Sequence, residues 1–115
     1  MAALKLFTVS HRGIRIKVRL LSTIIEVHRE HQAGCKRAIG ETVCGFFVPS
    51  RRANAKYVGT IVLPLHKRLT EFIPHEVTHA VLHNMREVEA HDDEAFATAV
   101  GILSMRIASK IGATA

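Results

Sequence analysis

Between residues 14 and 20, Ile14, Ile16, Val18 and Leu20 alternate with Arg15, Lys17 and Arg19. A period of two is that of a strand with one face buried and the other in water. The following apolar positions, 20, 21, 24, 25 and 27, change to helical spacing and stop at Gly34, which suits a helix with a glycine C-cap. The two patterns overlap near Leu20. Residues 42–48, TVCGFFV, read as a second strand ended by Pro49, and SRRANAK as a basic loop. YVGTIVLPL, 57–65, is a third strand, rich in β-branched residues and closed by Pro64. A short turn over 66–73 then leads to Pro74, placed as a first helical residue because its missing N–H costs nothing there. That helix runs from 74 to about 86, REVEAHDD connects it onward, and DEAFATAVGILSMRIASKI forms a third helix. Phe96, Val100, Leu103 and Ile107 make its apolar stripe. The order β-α-β-β-α-α predicts an α+β domain with a small sheet of about three strands.

At 115 residues the chain has room for one core, so a single domain over 1–115 is expected. A hydrophobic content of 48% argues against disorder. The formal charge of +6 is unevenly spread: thirteen of the sixteen Lys and Arg lie at or before Arg68, while Glu87, Glu89, Asp92, Asp93 and Glu94 cluster late. A basic N-terminal half permits contact with nucleic acid or another polyanion, although a solvated basic face would have the same composition. No uninterrupted apolar stretch approaches the roughly 18 residues that span a bilayer, so no membrane partner is expected. MAALKLFTVSHRG has too short an apolar run for a secretory signal. Cys35 and Cys44 make no Cys-x-x-Cys pair, and two free thiols fit a reducing cytoplasm. Cytoplasmic location is the expectation.

The chemistry sits in PHEVTHAVLH, residues 74–83. His75 and His79, four apart, share one face of a helix, so two neutral imidazoles can close on one Zn²⁺. Glu76 lies about 100° round the helix from His75, within reach of a metal-bound water without being a ligand, as a general base requires. Catalytic zinc usually has three protein ligands and one open position. His83 shares the face but is about 12 Å from His75 along the axis, too far to join it. The third ligand is therefore sought among His91, Asp92, Asp93 and Glu94, which a short connection can return to the histidines.

HEVTHAV followed by DEAFATAVG resembles the gluzincin branch of the zincin metallopeptidases, the thermolysin-like enzymes, and small phage and bacterial zincin-like proteins with a minimal strand-helix-helix core. The resemblance covers residues 57–105 at most and is specific only at the motif. It implies a zinc-dependent hydrolysis of peptide bonds in a peptide or protein substrate, with His75, His79 and Glu94 as ligands and Glu76 as base. Three features differ. The interval from His79 to Glu94 is shorter than in thermolysin. Thr98 stands where the larger enzymes have an Asp that orients a ligand histidine. The chain also lacks the extra domain that supplies a distal His and Tyr to the transition state; Tyr57, His66, His91 and Arg106 are the candidate substitutes. Asp93 rivals Glu94 as ligand, being equally near the start of the third helix and in line with Phe96 and Val100, and Glu94 could instead serve only as an N-terminal acid that complements the helix dipole. Strand 57–63 is the expected substrate rail, with Gly59 as a bulge or a plain strand residue. Two other readings remain open on the sequence: an inactive zincin fold used for interaction, and a nucleic-acid-binding module served by the basic half.

Overall fold

The computed structural model describes residues 4–34, 45–50, 56–85 and 93–112. Strands β1 (Lys5–His11) and β2 (Ile14–Leu21) form a hairpin in full antiparallel register, from Lys5 against Leu20 to His11 against Ile14. Its two-residue turn, Arg12–Gly13, has φ of 47° and 84°, as the tight turn that matches strand twist requires. Gly13 adopts this at no steric cost, whereas Arg12 is a non-glycine residue in the left-handed region.

Thr23 and Glu26 start helix α1 (Ile24–Gly34). The Glu26 amide donates to Thr23 Oγ1 at 3.2 Å, and the Glu26 carboxylate accepts from the hydroxyls of Ser22 and Thr23, a capping arrangement at the head of the helix. This cap resolves the overlap near Leu20: the strand keeps both Leu20 and Leu21, which are buried, and the helix begins after the two hydroxyl residues. Strands β3 (Phe46–Pro49) and β4 (Gly59–Pro64) complete a mixed sheet in the order β1-β2-β4-β3. β2 and β4 are parallel, and β3 and β4 antiparallel. The class is α+β, with four strands among the described residues where about three were expected. The additional strand is β1.

Helices α2 (Leu69–Met85) and α3 (Asp93–Gly112) cover one face of the sheet, α2 over β4 and β3 and α3 over β1. The main core lies between them: Ile16, Val18, Ile61 and Leu63 from the sheet meet Val77, Ala80 and Val81 of α2 and Ala99, Leu103 and Ile107 of α3. α1 lies on the other face, where Val27 packs with Leu21, Val62 and Phe46. Burial of these aliphatic chains stabilises the fold by about 1.5–3 kcal/mol per side chain.

One correction to the sequence reading concerns a helix. α2 starts at Leu69, not at Pro74. Leu69, Phe72, Ile73 and Val77 already follow helical spacing and are buried, and the Leu69 amide donates to the His66 carbonyl. Pro74 thus stands inside the helix, where it has no N–H to offer the Thr70 carbonyl. Glu94–Gly112 of α3 is, by length and composition alone, apolar enough to cross a membrane. In the fold its buried stripe, Ala99, Leu103, Ile107 and Ile111, packs in the core cluster. Cys35, Cys44, the start of the expected strand at 42–44, the basic stretch 51–55 and the connection 86–92 lie outside the described residues.

Candidate metal and hydrolytic centre

α2 has two functional faces because its sequence carries two overlaid stripes. Leu69, Phe72, Ile73, Val77, Ala80 and Val81 turn into the core, and Glu76 belongs to that buried stripe at 5% exposure. Arg68, Glu71, Phe72, His75, Glu76, His79 and His83, at intervals of three and four, line a cavity of about 810 Å³. The stretch from Arg68 to His83 extends about 22 Å along the helix axis. Opposite α2 stand Gly45, Phe46, Phe47 and Pro49, with His31 contributed by α1. Phe46 and Phe47 belong to opposite faces of the sheet, so the cavity wraps round the outer edge of β3.

The expected histidine pair is brought together. The rings of His75 and His79 are 4.9 Å apart between centroids and nearly perpendicular, and both residues are exposed. His75 Nε2 lies 3.8 Å from Glu76 Oε2. Burial pushes the Glu76 carboxyl above its ordinary value, and the neighbouring His75 opposes this without cancelling it. Gly45 contributes to that burial by close approach: a Cβ there would lie 3.4 Å from Glu76 Cγ and 3.0 Å from the Val62 carbonyl oxygen. A carboxylate that is hard to ionise and lies beside the His75 imidazole on a cavity wall is suited to exchanging a proton. The donor chemistry of His75 and His79 suits zinc, which takes neutral imidazole nitrogens readily.

The remaining sequence candidates are dispersed. Glu94 is exposed in the first turn of α3, and among the described residues no three His, Cys, Asp or Glu side chains form a group able to hold an ion. His91 and Asp92 lie outside the described residues, as does the Asp93 side chain. His66 acts at the head of α2: its Nδ1 accepts from the Arg68 amide at 3.1 Å and its ring stacks on Phe72 at 5.6 Å. Tyr57 is half-buried, with Lys17 Nζ 4.6 Å from its ring centroid, away from the cavity lining. Arg106 donates to the Ser10 carbonyl and lines a separate groove with Thr8, Ser109 and Lys110. The expected substrate rail is also corrected. β4 is paired on both sides, by β2 and β3, and cannot accept a further strand; among the described residues the edges are β1 and β3, and β3 is the one beside the cavity. Gly59 is an in-register ladder residue facing Ile16 and Pro49, and no bulge is formed there.

Several cavity residues were given no role by the sequence reading. Arg68 Nε donates to Glu71 Oε2 at 2.7 Å at one end of the cavity, holding the Glu71 carboxyl below its usual range. The spacing of three within a helix was the available signal. His83 packs against Phe47 with centroids 5.8 Å apart, and His31 meets Phe46 edge-on at 5.1 Å with its Nδ1 buried and unpartnered among the described residues. These contacts depend on β3 crossing beneath α2, which no local pattern foretells. Comparison of the chain with protein-family models, curated proteins and solved structures returned no match.

Proposed function

We propose that the chain is a zinc-dependent metallopeptidase acting on peptide or unfolded protein segments, a minimal relative of the gluzincins. The observation that supports this most directly is Glu76, a buried carboxylate beside two exposed imidazoles 4.9 Å apart, on the wall of a long cavity. His75 and His79 are the proposed metal donors, with Glu94 of α3 the proposed third and Asp93 its rival. Zinc held there would supply a Lewis acid for the scissile carbonyl and a more acidic attacking water.

The work of the chain's own residues follows from their placement. Glu76, whose pKa burial raises above its ordinary value, accepts the proton of the attacking water and returns it to the departing amine. The free edge of β3 aligns an extended peptide by pairing with its main chain, while the cavity along α2 accommodates roughly six extended residues. The close approach of Gly45 and the body of α2 keep Glu76 largely out of solvent.

Metal-replete, chelator-free protein should carry about one zinc per chain by elemental analysis, and His75→Ala or His79→Ala should lose it. Glu76→Gln should retain the zinc yet fail to cleave an unfolded substrate such as casein. Absence of zinc, or a Glu76→Gln protein as active as the wild type, overturns the reading.

A further inference from the structure

One broad surface takes no part in the cavity. α1 covers only one end of its sheet face, where Val27 meets Leu21 and Val62. The register places the rest of that face in rows: Leu6, Thr8 and Ser10 of β1 stand opposite Arg19, Lys17 and Arg15 of β2, and Lys17 and Arg19 stand opposite Thr60 and Val62 of β4. Val48 of β3 joins them opposite Thr60. Leu6, Thr8, Ser10, Arg15, Lys17 and Val48 are exposed. Charge on this hairpin is one-sided, since the sequence has no Asp or Glu before Glu26. Arg19 is held by Glu30 of α1 at 2.6 Å, but Arg15 and Lys17 project from the uncovered part. Lys17 and Lys56 both lie over the ring of Tyr57, at 4.6 and 5.8 Å, so two ammonium groups are gathered at one aromatic platform.

We propose that this open sheet face binds single-stranded nucleic acid. Alternate residues on one strand stand about 6.8 Å apart, a spacing suited to successive phosphates of one extended backbone. Hydroxyls of Thr8, Ser10 and Thr60 flank the cations as hydrogen-bond partners, and the exposed apolar chains of Leu6 and Val48 provide surface for unstacked bases. Basic rows beside sequence-tolerant apolar and aromatic contacts are the means by which proteins hold single strands. A purely acidic chain such as polyglutamate would satisfy the charges but brings no planar or apolar group to Leu6 and Val48. A stiff duplex would bridge over the hydroxyl rows.

The test is fluorescence anisotropy of the full-length protein with a labelled fifteen-nucleotide oligothymidylate, measured across a salt series and in EDTA. Arg15→Gln/Lys17→Gln is compared with Arg29→Gln/Lys67→Gln, which removes the same charge from exposed positions elsewhere. Binding should persist in EDTA, which separates this result from the fate of the metal site. The first double variant should lose about tenfold or more in affinity, with its log–log salt slope smaller by about 1.4, and the second should resemble the wild type. Circular dichroism melting should show both variants folded as the wild type is. No binding at low salt, equal losses in the two double variants, or equal affinity for a duplex or polyglutamate of matched charge overturns the proposal.

Discussion

Replacing Gly59 by alanine should destabilise the protein through a contact that no side-chain rotation can relieve. Gly59 is the first residue of β4, in register with Ile16 on one side and Pro49 on the other. An added Cβ would lie 2.3 Å from the Val48 carbonyl oxygen and 2.6 and 2.8 Å from Cε1 and Cζ of Phe47. Comfortable separations begin near 3.5 Å, so β3 must retreat by roughly 1 Å. Overpacking of this kind costs about 1–3 kcal/mol, and loosening one β3–β4 hydrogen bond adds about 1 kcal/mol. For a domain of this size about 1 kcal/mol corresponds to about 4 °C, so a fall of roughly 8–16 °C in Tm is expected. Gly101→Ala supplies the control with the opposite sign. Gly101 is exposed within α3 and a Cβ there meets nothing within 4 Å. Alanine should therefore raise Tm by about 2–4 °C through lower backbone entropy in the unfolded chain. Both would be measured by calorimetry on metal-free protein. A Gly59→Ala protein melting within about 2 °C of the wild type would refute the close approach of β3 and β4.

Three further outcomes are expected. The raised pKa of Glu76 means that the folded state keeps its proton at pH values where the unfolded chain has lost it, so stability falls as pH rises from about 4.5 through the folded value. Metal-free Glu76→Gln should accordingly melt above the wild type at pH 7, and the two Tm curves should converge below pH ~4; curves that stay parallel across the range would place the carboxyl in solvent. Glu94→Ala should weaken zinc in a competitive titration, whereas Asp93→Ala should cost mainly stability, on the order of 1 kcal/mol; the reverse pattern moves the third donor to Asp93. Leu103→Ala, at a fully buried position, should lower stability by about 3 kcal/mol in chemical denaturation.

The legible parts of this chain were those whose signal is local. His75 and His79 are neighbours because four residues make just over one turn, and Glu76 is buried because it falls in line with Phe72, Ile73 and Ala80. β2 was readable because one of its faces is basic and the other aliphatic. β1 was not, because Leu4 and Leu6 are apolar yet exposed and blur the alternation that Phe7 and Val9 supply on the inner face. Its turn, Arg-Gly, is also an unusual sequence for two left-handed residues. Pro74 misplaced the start of α2, since a proline is at home in a first turn and the earlier Leu69–Phe72–Ile73 spacing had to outweigh it. The edge position of β3, and with it Phe47 over His83, follows from the strand order 1-2-4-3, a long-range arrangement with no signature in any window of residues.

The parallel pairing of β2 with β4 has a kinetic consequence. β1 and β2 are joined by two residues, so their ladder can zip within microseconds, but β4 reaches β2 only after residues 22–58 have been closed into a loop. β3, four residues long, pairs within the sheet with β4 and packs on α2 through Phe47. Being short and paired on one side, it has fewer ladder contacts to break on detaching than β2, which is paired on both. Its amides at Phe46–Val48 should exchange with solvent hydrogen faster than those of Ile16–Leu20, at a rate set by brief detachment of this strand.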